Sequence, residues 1–128
     1  MINYVSTRGG VDPQSFTDVL LQGLAPDGGL YVPQEWPQFD LEGIGSLAGA
    51  PYAEIAHHVI KPFVEPDLPD NVLKSLISDT YENSFSHSCV APLIQISPNV
   101  WIMELFHGST LAFKDYALQL LGLSLIHI

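Results

Sequence analysis

One lysine occupies an unusual place in this sequence. Lys114 lies near the end of the segment Phe106–Asp115, and its neighbours are apolar: Leu111, Ala112, Phe113, Tyr116, Ala117 and Leu118. The chain has only 4 Lys and Arg among its 128 residues, so this cation does not belong to a generally basic surface. Such a lysine either extends its amine to water or is desolvated, which lowers its pKa and leaves the free amine that attacks an aldehyde.

A helix is predicted to begin just before Lys114, and it bears on this choice. The positive end of a helix dipole disfavours an ammonium in the first turn and so favours the neutral amine. The adjacent carboxylate of Asp115 acts in the opposite direction. The sequence therefore leaves the sign of the pKa shift open, and a surface lysine with a buried stem stays the alternative.

A second group with possible chemistry lies on one predicted helix. Glu54 and His58 are four residues apart, a spacing that places two metal ligands on one helix face, and His57 lies between them. Two ligands without a third are weak evidence for a metal site. A solvated helix face is the favoured interpretation.

Two other places carry reactive residue types. His87 and Cys89 are close in sequence, but no basic or helix-start context lowers the thiol pKa, so a nucleophilic cysteine is not favoured. Ser6, Thr7 and Arg8 come near the start, and Arg8 is the only arginine. Its guanidinium suits a carboxylate or phosphate ligand, or a structural ion pair, and the sequence does not rank the two.

Helices and short strands are predicted to position these residues. Helix starts are indicated at Asp12–Pro13, Ser15, Pro51 and Pro69, because each is followed by a cap pattern or by apolar residues at helical spacing. The helix after Ser15 is predicted to extend to Leu24, and Pro62 to limit the helix after Pro51.

The strand signals are short. Tyr4–Ser6 and Leu30–Val32 are predicted strands, and a hairpin is predicted between Leu93–Ile96 and Val100–Leu105 around the turn Ser97–Asn99. The helix that carries Lys114 is apolar on nearly every side, which is typical of a helix buried in a larger domain.

Composition excludes several classes of partner. With 14 Asp and Glu the formal net charge is -10, which disfavours nucleic acid and anionic membrane surfaces. Hydrophobic residues make up 47%, as in a packed globular chain, and no apolar stretch is long enough to span a bilayer. The single cysteine and the absence of a secretory pattern at the start predict a cytoplasmic protein.

Three segments together resemble a known family. Leu105–Gly122 resembles the lysine-bearing segment of threonine synthases, which are pyridoxal 5'-phosphate enzymes with the family pattern FHGPT-x-AFKD. Val5–Gly9 and Gly23–Pro33 resemble two amino-terminal signatures of that family, in the same order. Three matches in order over most of the chain make the resemblance specific.

The resemblance implies a fold, a reaction and one site residue. The implied fold is α/β, that of a fold type II pyridoxal-phosphate enzyme, and the implied reaction converts O-phospho-L-homoserine and water into L-threonine and phosphate. Lys114 corresponds to the lysine that binds the cofactor as a Schiff base and then moves protons at Cα and Cβ. Phe113 and Asp115 are expected to set its rotamer and local charge, and His107, Ser109 and Thr110 to line the preceding loop.

The chain also departs from this family. Ser109 stands where the family has proline, which removes a restricted φ angle and offers a possible helix cap. Residues 1–92 are expected to form an α-rich amino-terminal region with short strands, and residues 93–128 to begin the cofactor-binding domain. The tail 123–128 is atypical and predicts a truncated or mis-assembled reading frame, so the fragment is expected to be inactive alone.

A rival hypothesis comes from a different class of protein. The chain could be a non-catalytic acidic module that binds a protein partner through its apolar carboxy-terminal helix, since an exposed apolar helix serves that role or aggregates. The sequence does not indicate an oligomeric state.

Overall fold

A computed structural model describes residues 2–128 of the chain. Five helices and four strands follow one another along these residues. In chain order they are β1 (Tyr4–Ser6), α1 (Phe16–Gln22), β2 (Tyr31–Pro33), α2 (Leu41–Ser46), α3 (Tyr52–Val64), α4 (Asp70–Tyr81), β3 (Leu93–Ser97), β4 (Val100–Met103) and α5 (Asp115–His127). The predicted α-rich region with short strands is confirmed.

The core lies where α3, α4 and α5 meet. Apolar residues spaced three or four apart on α4 (Leu73, Leu76 and Ile77) are almost fully buried, as expected for the inner face of an amphipathic helix. Ala56 and Val64 of α3 pack against them, and Tyr116 and Leu120 of α5 cover part of the same cluster. The first turn of α5, directly after Lys114, is therefore joined to the core.

Two separate antiparallel pairs flank this core. In the first, β1 pairs with β2, and Val5 lies opposite Val32. In the second, β3 pairs with β4 as the predicted hairpin, with Asn99 at φ 63° in its turn. All the residues of β3 and β4 are exposed, so this hairpin stands off the helical core.

Several local predictions are confirmed. Ser15 caps α1, since its hydroxyl accepts a hydrogen bond from the Asp18 N–H at 3.1 Å. Pro51 and Pro69 immediately precede α3 and α4, as predicted.

Other local predictions are wrong, and contacts distant in sequence explain two of them. Asp12–Pro13 begins no helix, because the next residue, Gln14, pairs through its backbone with Tyr4. Leu24 lies outside α1, which ends at Gln22 and is followed by its C-cap, Gly23. Pro62 lies inside α3, where the buried side chain of Val64 holds the last turn in the core.

The sequence analysis missed α2. Its cap was visible, since the Asp40 side chain accepts a hydrogen bond from the Gly43 N–H at 2.7 Å. Two glycines within six residues hide the helix from a propensity argument, because glycine disfavours helix interiors.

Candidate functional site

The path of the chain into Lys114 is a tight loop between β4 and α5. After β4 the segment Glu104–His107 runs to Gly108, and a turn closes where the Leu111 N–H donates to the Gly108 carbonyl at 3.2 Å. Leu111 has φ 59°, a left-handed value that is rare for a residue with a side chain. The loop therefore has a defined, strained shape immediately before Lys114.

The carboxylate of Asp115 closes this loop from the helix side. Its Oδ2 accepts from the Thr110 N–H at 2.8 Å, and its Oδ1 accepts from the Thr110 hydroxyl at 2.7 Å. Asp115 is only 5% exposed. The hydrogen bond from the Thr110 hydroxyl is the main cause that lowers the pKa of Asp115 below its ordinary value.

Gly108 is required by the approach of this carboxylate. A Cβ placed on Gly108 would lie 2.7 Å from Asp115 Cγ and closer still to its Cβ, well inside van der Waals contact. Only glycine lets the loop backbone pass so near the first residue of α5.

Lys114 lies at the N-cap of α5, one residue before the helical residues. Its backbone is already helical, with φ -63° and ψ -24°, and its carbonyl accepts from the Leu118 N–H at 2.9 Å. The side chain is exposed. Ion pairs formed by the other lysines, Lys61 and Lys74, go to Asp70.

The apolar neighbours of Lys114 in the sequence do not enclose it in the structure. Leu111 is 71% exposed and Phe113 is 66% exposed, so these side chains surround the lysine in sequence but do not cover it. Of the two possibilities that the sequence left open, the structure has the solvated amine. The same amine is accessible to an aldehyde.

His107 belongs to the loop but is held by its own neighbours. Its Nε2 lies 2.8 Å from Glu104 Oε2, and its ring lies 5.0 Å from that of His87, centroid to centroid. The Glu104 carboxylate therefore orients the imidazole. The possible helix cap that Ser109 offered is not formed, because Lys114 holds the N-cap position. The Ser109 hydroxyl instead accepts from Gln119 Nε2 at 3.0 Å.

The two amino-terminal segments singled out in the sequence interlock around a residue that the sequence analysis did not select. Asp27 Oδ1 accepts from the Ser6 hydroxyl at 2.7 Å and from the Gly29 N–H at 2.8 Å, and its Oδ2 accepts from the Gly10 N–H at 2.9 Å. The Ser6 hydroxyl is the main cause that lowers the pKa of Asp27 below its ordinary value. The turn-forming type of Asp27, followed by two glycines, was the available signal.

Arg8 and Thr7 support the same turn. Arg8 Nη1 donates to the Asp27 carbonyl at 3.1 Å, and Thr7 Oγ1 accepts from the Leu30 N–H at 3.0 Å. Within residues 2–128, Arg8 forms no ion pair with a carboxylate. Its partner is a backbone carbonyl.

The remaining candidates take structural contacts. His57 Nε2 lies 2.9 Å from Asp70 Oδ1, which joins α3 to α4, and the His58 ring packs against Phe39 at 5.7 Å. Within residues 2–128, no three His, Cys, Asp or Glu side chains lie together as metal ligands. The His87 Nδ1 accepts from the Cys89 backbone N–H at 3.1 Å, so in this geometry the imidazole shapes a turn.

The described helices can be compared with the length and apolar character that a membrane-spanning helix needs. Among residues 2–128, no helix combines the length and the apolar character needed to cross a bilayer.

Comparisons with known proteins place these segments in a wider context. A family model described as "Threonine synthase N terminus" matches residues 3–81. A threonine synthase from Pseudomonas aeruginosa is 53% identical over 127 residues, which cover 99% of this chain and 27% of that protein.

Solved structures agree with the sequence comparison. The crystal structure of a PLP-bound threonine synthase from Brucella melitensis superposes with a TM-score of 0.95 at 46% identity, over 99% of this chain and 27% of that one. A threonine synthase from yeast superposes with a TM-score of 0.89 at 36% identity, over 98% of this chain and 26% of that one. The chain therefore spans about a quarter of the length of these relatives.

Proposed function

Because this chain belongs to the threonine synthase family, we propose that the whole protein converts O-phospho-L-homoserine and water into L-threonine and phosphate. The observation that carries the proposal is the position of Lys114. Its amine is exposed at the head of α5, on a loop closed by Asp115, in a chain whose relative from B. melitensis binds PLP. The comparisons offer no support for the alternative of an acidic interaction module.

The residues around Lys114 fit pyridoxal phosphate as a cofactor. The cofactor, when bound, supplies an aldehyde that reacts with a primary amine and a ring that withdraws electrons from the attached substrate. The accessible Lys114 amine is the group on this chain that would hold it. Asp115, with its carboxylate engaged by Thr110, keeps the adjacent backbone in place and adds negative charge beside the amine.

Lys114 would also move protons once the amine of the substrate has replaced it. The freed amine would remove the proton at Cα and shift protons at Cβ while phosphate leaves from Cγ. Water would add at Cβ, protons would return to Cγ and Cα, and the Lys114 amine would replace the product amine, which releases threonine. Each step needs substrate, water and the lysine amine held in the correct relative orientation. Such orientation lowers the activation free energy by roughly 7–11 kcal/mol in well-oriented systems.

The attachment test uses a fusion protein, in which this chain is joined to the region that follows the matched part of the P. aeruginosa relative. Incubation with pyridoxal phosphate, borohydride reduction and peptide mapping should place the label on Lys114. Lys114→Arg should abolish the label, because a guanidinium does not form this bond at neutral pH. A label on Lys61 or Lys74 would contradict the assignment.

The activity test measures phosphate release from O-phospho-L-homoserine. The fusion protein should release phosphate and form threonine, and Lys114→Arg should not. This chain alone should release none, with or without added cofactor, because residues beyond it are needed to orient the reactants. Turnover by this chain alone at an enzyme-like rate would show that its own residues suffice.

The division of the chain is part of the same proposal. Residues 1–92 would form the amino-terminal region, and residues 93–128 would begin the cofactor-binding domain. Support comes from the apolar side chains of β3 and β4, which are 47–59% exposed and offer a surface for further chain to cover. The single cysteine supports a cytoplasmic location.

A dye-binding measurement tests this division. This chain should bind a hydrophobic dye strongly and self-associate despite its net charge of -10. The fusion protein should bind much less dye per molecule. Equal dye binding by the two proteins would contradict the division.

A further inference from the structure

The hydroxyl of Tyr116, two residues after Lys114, joins three separate parts of the chain. It donates to the Val90 carbonyl at 2.8 Å, lies 3.4 Å from the Glu104 carbonyl and accepts from the His107 N–H at 3.4 Å. These partners lie in the turn before β3 and in the segment after β4. One phenol thus connects the first turn of α5 to both ends of the hairpin.

The Val90 partner is a strained residue. Val90 has φ 58°, a left-handed value that is a genuine outlier for a β-branched side chain, and it is only 3% exposed. Its N–H donates to the His87 carbonyl at 2.8 Å, and its own carbonyl receives the Tyr116 hydroxyl. Strained backbone of this kind persists only where surrounding contacts hold it, and it is concentrated near functional sites.

The Tyr116 ring itself is firmly held. It packs against the Phe85 ring at a centroid distance of 4.7 Å, and the Tyr81 hydroxyl donates to the Tyr116 carbonyl at 2.7 Å. Burial raises the pKa of Tyr81 to about 12, so this hydroxyl keeps its proton at neutral pH. The packing of α4 therefore determines where the Tyr116 hydroxyl lies.

Asp115 and Tyr116, the two residues after Lys114, have different structural roles. Asp115 bonds to Thr110, five residues away, and so shapes only its own loop. Tyr116 reaches across 26 residues to Val90, so it ties the start of α5 to the rest of the protein. The Ser86 N–H, which donates to the His107 carbonyl at 2.9 Å, ties the other end of the loop. Because the Lys114 side chain is exposed, its direction depends mainly on its backbone.

We propose that Tyr116 is a positioning residue for Lys114: its hydroxyl anchors the first turn of α5 to Val90, Glu104 and His107, and so sets where the lysine amine meets the cofactor. This inference rests on the proposed function, since it concerns the same amine. Tyr116 acts through Lys114 and the backbone, and it is not assigned a contact with substrate.

The test compares Tyr116→Phe with Tyr4→Phe in the fusion protein. Tyr116→Phe keeps the ring and removes only the anchoring hydroxyl. Tyr4→Phe is the matched control, because the Tyr4 hydroxyl also donates to a carbonyl distant in sequence, that of Phe63 at 2.5 Å. Both residues are far from Lys114 in sequence. The readouts are the rate of cofactor attachment before substrate is added, the pH midpoint of the visible absorbance, and the thermal unfolding midpoint.

Tyr116→Phe should slow attachment about tenfold to a hundredfold, because small displacements of a reacting group have effects of this size. It should also shift the pH midpoint, whereas Tyr4→Phe should lower only the unfolding midpoint. If Tyr116→Phe fails to fold, Tyr81→Phe decides, since it removes the bond that holds the Tyr116 carbonyl and should slow attachment severalfold.

The outcomes separate this inference from the proposed function. If both variants lose thermal stability and neither changes attachment or the pH midpoint, Tyr116 is structural and the inference is overturned. If the unchanged fusion protein does not attach the cofactor at Lys114, the proposed function fails and the positioning role fails with it.

Discussion

Two aspartates organise two loops of this molecule by similar local means and with different reach. Asp27 and Asp115 each accept hydrogen bonds from one hydroxyl and from backbone N–H groups, and each approaches a glycine closely: Gly29 in the first loop and Gly108 in the second. Asp27 joins segments up to 21 residues apart, whereas Asp115 reaches only five residues back.

Because the hydrogen bonds of Asp27 and Asp115 span different lengths of chain, the two loops depend differently on the rest of the protein for their positions. The Asp27 loop ties β1 to the turn before β2 with its own bonds, and all its reactive-looking residues are used as partners. The Asp115 carboxylate closes its loop only locally, so the position of the loop depends on Tyr116 and on the Ser86 N–H, which donates to the His107 carbonyl at 2.9 Å. The loop leaves the Lys114 amine exposed. The side chain of Lys114, the proposed cofactor lysine, thus stays exposed beside the hydrogen bonds that shape its loop.

The largest expected effect comes from adding a methyl group at each glycine. Gly108→Ala should cost more than Gly29→Ala, within a range of about 1–3 kcal/mol for overpacked sites. The added Cβ of Gly108→Ala meets the Cβ of Asp115, which is fixed to the backbone of α5, whereas that of Gly29→Ala meets hydroxyl and carboxylate oxygens that can rotate. Urea unfolding of the chain at low protein concentration measures both.

Gly122→Ala is the control for this comparison. Nothing lies within 4 Å of the added methyl, and alanine is favoured over glycine in a helix by roughly 0.5–1 kcal/mol, so this variant should be stabilised. Equal losses for Gly29→Ala and Gly108→Ala would show that the two loops are equally adaptable.

The next largest effect is a difference in stability when the carboxylate of Asp27 or of Asp115 is replaced by an amide. Asp27→Asn should lower the unfolding midpoint more than Asp115→Asn. Each oxygen of Asp27 receives a backbone N–H, so the amide NH2 must face a donor in either orientation. At Asp115 the NH2 can face the Thr110 hydroxyl, which can reverse and accept. Thermal unfolding followed by circular dichroism tests the order, and the opposite order would contradict it.

A pH dependence follows from the same carboxylates. Hydrogen bonds lower the pKa of both below the ordinary value of 3.8, so their ionised forms stabilise the folded state. That stabilisation is present above pH 3.8 and is lost as the pH falls through the lower, folded-state pKa. Unfolding midpoints between pH 5 and 2 should decline less steeply in Asp27→Asn. The control Asp12→Asn, at an exposed carboxylate outside both loops, should decline as the unchanged chain does.

The smallest effect is expected on the outer side of the Lys114 loop. Gln119→Ala removes the exposed bond to the Ser109 hydroxyl and introduces a better helix former. These opposing changes should leave the free energy of unfolding within about 0.5 kcal/mol of its original value. A loss above about 1 kcal/mol by urea unfolding would show instead that this hydroxyl holds the loop in place of the proline of the family.

The sequence predicted correctly those features that depend on interactions between residues close together in the chain. The Ser15 cap, the starts of α3 and α4 and the β3–β4 hairpin were predicted correctly, because each depends on residues within a few positions. The helix start predicted at Asp12–Pro13 was wrong because Gln14 pairs with the distant Tyr4. The helix end predicted at Pro62 was wrong because the burial of Val64 in the core overrides the local signal. The role of Asp27 was missed for the same reason, since two of its partners come from β1 and the turn that follows.

The sequence by itself determined the family and drew attention to Lys114, because a motif is a local arrangement of residue types that needs no coordinates. The identity of Lys114 as the cofactor lysine stays a prediction. Only the tertiary structure decided that its amine is solvated, that Arg8 binds a backbone carbonyl and that Tyr116 anchors the loop. Burial and hydrogen bonding across tens of residues depend on how α4, α5 and the hairpin pack, and a linear pattern carries no record of those distances.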